Sequence, residues 1–183
     1  MPHTIIVLAP GFEETEAVTA IDLLRRAGVT VTVLGLETLE VSGSHCIAIK
    51  TDKLLKDFSG DFDAIVLPGG MPGAKNLAAD ARLLDLIRYA HRRGKLCAAI
   101  CAAPIVLGKA GVLQGFLATC YPGHEQELTG AEIVNEPVVH DRNIITSRSV
   151  GTAIPFVLEL IACLVSGDAA EKTGAAILCK SAR

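Results

Sequence analysis

The strongest constraint on the fold is an alternation. Short, almost uninterrupted apolar runs are separated by stretches with helical periodicity. "TIIVLA" (4–9), "FDAIVLPGG" (62–70) and "GKLCAAI" (94–100) carry aliphatic side chains at successive positions. A strand with one wet face alternates apolar and polar residues, so runs like these belong to strands covered on both faces. Between them lie helices. "EETEAVTAIDLLRRAG" (13–28) spaces Ala17, Ala20, Ile21 and Leu24 along one face, with acids in its first turn, arginines in its last and Gly28 as a stop. Residues 74–93 repeat the pattern with a break expected around Asp80. "VTVTVLGL" (29–36) reads as a further strand and 37–56 as a short antiparallel excursion. Residues 116–121 and 138–147 also read as strands, the second with a D-R-N turn. The helix over 151–167 tolerates Pro155 because it falls in the first turn, and a last short helix spans roughly 168–179. No linker, repeat or low-complexity tract divides residues 1–183, which predicts one domain. Strands alternating with helices predict an α/β sandwich of flavodoxin-like type, a mostly parallel sheet with helices on both faces.

Half of the 183 residues are hydrophobic and only 4% aromatic, so the core must be aliphatic. The apolar runs stop well short of the roughly 20 residues that cross a bilayer, so no membrane association is expected. A net charge of -3 supplies no basic field for nucleic acid or anionic lipid. The opening "MPHTIIVLAPGFEE" lacks the basic region and apolar stretch of a signal peptide, and a cytoplasmic location is expected. Six cysteines (46, 97, 101, 120, 163 and 179) are scattered without a C-x-x-C pair. Cys97 and Cys101 on one strand would stand about 13 Å apart, beyond the roughly 7 Å that a disulfide tolerates. Most of the six read as small buried hydrophobes in a reducing compartment. No spacing of His and Cys forms a metal-ligand set.

In sheets of this kind ligands bind beyond the carboxyl ends of the strands. Three segments reach that edge: "APGFEETE", "LPGGMPG" and "GKLCAAICAAP". Cys101 sits at a strand-to-helix corner with Ala99, Ala102 and Ala103 around it. A sharp corner forces an uncommon backbone conformation, and the smallest side chains relieve the crowding, as in a hydrolase nucleophile elbow. The helix beginning near 102 or 103 would aim free N–H groups at the sulfur and favour its thiolate. Gly69 and Gly70 let the backbone approach a ligand and offer N–H groups to an oxyanion. Glu13 and Glu14 complement the helix N-terminus, whereas Glu16, one turn further in, faces the cleft. A protonated Glu16 would donate to the sulfur and share one proton with it. His124 in "YPGHEQEL" is a candidate proton shuttle, set against the reading of a solvated loop histidine.

"LAPGFEETEAVTAIDLLRRAG", "DAIVLPGG", "GKLCAAICAAP" and "ITSRSVGTA", in this order, resemble the ThiJ/PfpI superfamily. Within it the chain is similar to the branch of bacterial YajL and the parkinsonism-associated protein deglycase. The resemblance implies that Cys101 is the reactive, oxidisable cysteine and Glu16 its carboxylic partner. Gly69, Gly70 and Ala102 would form the anion-binding wall. It also implies a homodimer with the site near the interface, where Arg26 would contribute, and no cofactor. The chemistry so implied is that of a glyoxalase or protein deglycase acting on methylglyoxal, glyoxal or glycated protein. The same thiol equally suits a redox sensor or holdase chaperone. A Cys peptidase or amidase is disfavoured, because some superfamily hydrolases place a histidine directly after the nucleophile and here that residue is Ala102. Tyr121 stands where the branch has a histidine, His45 where it has an arginine, and Ser149-Val150 replaces a small-Pro pair.

Overall fold

A computed structural model describes residues 1–179. In chain order the elements are β1 (His3–Leu8), α1 (Glu14–Arg26), β2 (Thr30–Gly35), β3 (Glu40–Ser42), β4 (Ala48–Lys50), β5 (Lys53–Leu54) and β6 (Ala64–Leu67). There follow α2 (Gly73–Ala79), α3 (Ala81–Arg92), β7 (Leu96–Ile100), α4 (Pro104–Ala110), β8 (Leu117–Ala118) and β9 (Glu132–Ile133). The chain continues through β10 (Val138–Asp141), β11 (Ile144–Ser147), α5 (Ala153–Leu164) and α6 (Gly167–Ala176). Seven strands form one sheet in the order β10-β11-β7-β6-β1-β2-β5. All pairings in it are parallel except β10 with β11. This is the flavodoxin-like α/β architecture.

The apolar runs acquire their meaning from the two-residue period of a strand. Ile5, Val7, Ile65, Leu67, Cys97 and Ala99 point to the layer of α2, α3 and α4. Their neighbours Ile6, Leu8, Val66, Ala98 and Ile100 point to the layer of α1 and α5. Apart from His3 and Thr4 at the start of β1, the central strands β1, β6 and β7 are therefore apolar along both faces, because each face has its own helices. Asp80 breaks the 74–93 helix as expected, and its carboxylate accepts from the Leu83 N–H at 3.0 Å to cap α3. The 138–147 segment is the expected hairpin. Pro155 lies in the first turn of α5, which follows a 3-10 turn at Val150–Thr152. Ser149 and Thr152 cap that turn reciprocally, so the Ser149-Val150 pair still starts the helix.

Several expectations need correction. The 37–56 excursion does contain a hairpin, β3 with β4, but the chain then returns to the main sheet as β5, parallel to β2. The 116–121 strand shrinks to two residues that pair with β9 outside the main sheet, because beyond them the Thr119 N–H donates to the Thr146 hydroxyl and the Tyr121 N–H to the Cys101 carbonyl. Only Cys97 and Cys120 of the six cysteines are buried. Cys46 and Cys163 are exposed, and Cys101 and Cys179 are half-buried. Cys46 lies in the β3–β4 turn at φ 64°, and Cys163 lies in the last turn of α5 at the rim of the sheet, so neither segment hides its side chain. Among the described residues no helix is long and apolar enough to cross a membrane.

Candidate active site

β1 has β2 on one side and β6 on the other, and the loops leaving β1 and β6 diverge at this switch point. The loop after β1, the loop after β6 and the corner after β7 meet there. Cys101 occupies the corner with φ 63°, a left-handed conformation that costs a non-glycine residue of order 1 kcal/mol or more. Three backbone hydrogen bonds hold it. Its N–H donates to the Ser147 carbonyl at 3.0 Å, its carbonyl accepts from the Tyr121 N–H at 2.8 Å, and the Ala103 N–H closes on the Ile100 carbonyl at 3.0 Å. The neighbouring strand end and the 121 loop thus over-determine the strained residue. The backbone N–H groups of Gly70 and Ala102 lie near the sulfur and favour its charge.

The β6 loop must pass against this corner. A Cβ on Gly69 would come within 2.6 Å of the Cys101 Cβ and 2.9 Å of the Ala102 nitrogen. Gly70 takes φ 87°, and a Cβ there would strike the Glu13 nitrogen at 2.5 Å. Gly11, which the sequence reading did not single out, makes the third close approach, with φ 84° and Pro72 Cδ at 2.4 Å from a would-be Cβ. "PGF" after an apolar strand was the available signal for it.

Glu16 is buried in the first turn of α1, alongside Glu14 rather than one turn further in. Its Oε2 accepts from the Gly69 N–H at 2.8 Å. Oε1 is buried with no hydrogen-bond partner among the described residues, and the Cys101 thiol lies close enough to the carboxyl to influence its charge. Burial raises the carboxyl from 4.5 to about 7, against the lowering influence of the Gly69 N–H and the thiol. The Gly69 N–H is therefore committed to Glu16 and does not join an anion-binding wall. That leaves the N–H groups of Gly70 and Ala102 near the sulfur.

The expected low thiol pKa is reversed. Burial, followed by the Glu16 charge, pushes Cys101 up to about 12, outweighing the two N–H donors. The helix that was to favour the thiolate begins only at Pro104 and spans seven residues. Glu16 and Cys101 thus form a coupled pair in which proton and charge are exchanged over a short distance. An ionised Glu16 keeps the sulfur protonated, and a protonated Glu16 removes that obstacle.

Glu14 does more than complement the helix N-terminus. It is buried, and its Oε1 accepts from the backbone N–H groups of His45 (2.7 Å) and Ile47 (3.3 Å). Burial opposes its charge, but these bonds and its own N–H overcome it and hold the carboxyl down at about 2. Glu14 thereby fastens the β3–β4 turn beside the cleft, with His45 Nδ1 3.1 Å from Oε2. The other two candidates are engaged with other partners. The His124 ring is turned to Glu127 at 2.9 Å. Arg26, ten residues beyond Glu16 and so about 15 Å along α1, pairs with Asp22 at 2.8 Å.

A flavodoxin-like sheet carrying a strained cysteine over a buried glutamate, at the switch point, defines a small class of α/β proteins. The family model for the DJ-1/PfpI family matches residues 3–163. Protein dj-1beta of Drosophila melanogaster is 40% identical over 178 residues, 95% of each chain. The Parkinson disease protein 7 homolog of Danio rerio is 35% identical over 184 residues, 97% of each. The crystal structure of Drosophila melanogaster DJ-1beta superposes with a TM-score of 0.95 at 39% identity, covering 98% of each chain. Oxidized Toxoplasma gondii DJ-1 superposes at 0.94 with 36% identity, covering 97% of this chain and 98% of that one. The chain belongs to the DJ-1/PfpI family.

Proposed function

We propose that this protein is a cysteine-dependent, cofactor-free glyoxalase or deglycase acting on methylglyoxal, glyoxal or their adducts with amines and thiols. The observation that carries the reading is the Cys101–Glu16 pair: a nucleophile at a strained corner, beside a buried carboxyl that titrates near neutrality. A general acid–base group works best with a pKa near the working pH. In its ionised form Glu16 takes the Cys101 proton as sulfur bonds to the aldehyde carbon of methylglyoxal. The N–H groups of Gly70 and Ala102 lie near the sulfur and so beside the carbonyl oxygen as it gains charge. Protonating that oxygen completes a hemithioacetal. Moving the C1 hydrogen to C2 as a proton, through Glu16, converts it to a thioester, and water then releases lactate and the free thiol. Atoms balance as methylglyoxal plus water to lactate, with no external oxidant or reductant. Deglycation uses the same attack on an adduct, with the amine or thiol as leaving group.

The test is lactate formation from methylglyoxal. Cys101→Ala is expected to abolish turnover, and Glu16→Gln to lower kcat by about 10²–10⁴. A Cys101→Ala protein with the wild-type rate would overturn the scheme.

A second reading, redox sensing, is favoured by the half-exposed sulfur and by the relative described as oxidized. A protonated Glu16 would then donate to a sulfinate on Cys101. Gain of two oxygen atoms at Cys101 under mild peroxide, with no lactate formation, would select it. A homodimer belongs to the same proposal. Val18 on α1, Ile47 in the adjoining β3–β4 turn and Ile154 on α5 are exposed, and α1 packs on α5.

A further inference from the structure

Away from the cleft, three donor side chains converge between β10 and α5. His140 projects from β10, while Glu159 and Cys163 lie one turn apart on α5. His140 Nδ1 is 2.8 Å from Glu159 Oε1, and the Cys163 sulfur is 3.6 Å from Nδ1 and 3.9 Å from that same oxygen. A tetrahedral zinc ion with ordinary bond lengths would set its N···O separation at about 3.4 Å and its N···S and O···S separations at about 3.6 Å. The N···S separation matches, the O···S separation is slightly long, and the N···O separation of 2.8 Å is a hydrogen-bond contact that has to open for an ion to enter.

The histidine supplies a second observation. Its Nε2 lies 2.8 Å from the Arg142 carbonyl, which can only accept, so Nε2 carries a proton. Its Nδ1 faces a carboxylate oxygen, which also can only accept. At 2.8 Å the two atoms are in hydrogen-bond contact, and a metal ion would have to spread them to about 3.4 Å, which the exposed ring and the partly exposed carboxylate allow. A backbone carbonyl on the far nitrogen is the outer-shell arrangement that fixes a metal-binding histidine in the right tautomer.

We propose that His140, Glu159 and Cys163 form a site for a divalent transition-metal ion of the zinc class, with water completing the coordination. One imidazole, one carboxylate and one thiolate suit such a borderline ion better than calcium or magnesium, which take oxygen. The sulfur stands 3.9 Å from Nε2 as well as 3.6 Å from Nδ1, so it lies over the ring face, and a turn of the exposed Cys163 side chain is needed to bring it to the Nδ1 lone pair. A Cys-His-Glu catalytic triad is the competing use of these residues. Burial and the Glu159 charge, however, push the thiol up to about 11, the wrong direction for a nucleophile. A divalent ion reverses that influence and releases the thiol proton. The site is remote from Cys101. His140 is paired with Ile145, which is level with Ala98, and Cys163 lines a groove with Met1, Pro2 and Leu96 at the amino end of the sheet. Another cluster, Glu13, Glu14 and His45, is less suited because Glu14 Oε1 already accepts from two backbone N–H groups and Oε2 from the Ser44 hydroxyl.

Cobalt(II) titration of the reduced, chelator-stripped chain tests the site. One equivalent is expected to bind with thiolate-to-cobalt charge-transfer absorption and tetrahedral d–d bands, both lost on adding zinc(II). Cys163→Ser should abolish the charge-transfer band, and His140→Ala and Glu159→Gln should each weaken binding at least about tenfold. Cys101→Ala and His45→Ala should bind as the wild type does. All three site residues lie at the surface, and unchanged far-UV dichroism confirms that the variants fold. The proposal is overturned if the band survives Cys163→Ser or either weakening fails, if it disappears in Cys101→Ala or His45→Ala, or if no cobalt absorption develops. The last result would mark the His140–Glu159 contact as an ordinary surface hydrogen bond.

Discussion

Glu16→Gln makes the electrostatics of the site measurable as stability. A carboxyl that titrates at about 7 in the folded chain and at 4.5 when ordinary holds its proton more tightly folded than unfolded. The sign follows from proton binding. Between pH 4.5 and 7 the native state carries the extra proton, so stability falls as pH rises through this window. At about 1.4 kcal/mol per pH unit, the gap corresponds to roughly 3 kcal/mol, fully lost above pH 7 and fully retained below 4.5. Glutamine keeps the shape and an acceptor for the Gly69 N–H but has no proton to lose. Its stability relative to wild type should therefore improve by roughly 3 kcal/mol between pH 4.5 and 8, or about 6–12 °C in Tm for a chain of this size. Taking the difference between the two proteins cancels the shared groups that Glu16 does not touch, and Cys101, pushed up to about 12, stays protonated across this window in the folded wild type. Glu14, held at about 2, titrates below the window in both. Urea unfolding at several pH values supplies the curves. A difference that stays flat with pH, or that favours wild type as pH rises, would show that Glu16 is stabilised as a carboxylate and would refute the reasoning.

Two further perturbations probe the same corner. The rate of Cys101 alkylation should still be climbing above pH 10, with Glu16→Gln reacting faster at pH 8 because a neighbouring negative charge has gone; a wild-type plateau at or below the ordinary thiol value of 9.0 would contradict this. Gly69→Ala sets a methyl 2.6 Å from the Cys101 Cβ and inside 3 Å of two backbone atoms, so it should destabilise the chain by about 1–3 kcal/mol and displace the nucleophile; urea unfolding with unchanged stability would refute the close approach.

Much of this protein was legible before any coordinates. Unbroken apolar runs between amphipathic helices require a sheet covered on both sides, because strand periodicity sends neighbouring side chains to opposite faces. Asp80 and Pro155 could be placed because capping and the missing proline N–H are local matters. Cys101 among alanines announced its corner for the same reason: steric crowding at a sharp turn depends on the next few residues. Other features depended on distant segments. β5 joins the sheet, and β8 pairs with β9, through bonds between strands that carry too few residues to signal themselves. The commitment of the Gly69 N–H to Glu16 spans 53 residues of sequence. The thiol pKa went against expectation because burial and a carboxylate arriving from α1 outweigh local N–H donors. His140 meets Glu159 and Cys163 only because α5 lies across β10. Local sterics and periodicity are written in consecutive residues, whereas desolvation and charge pairing act through space and are settled only when remote parts of the chain pack together.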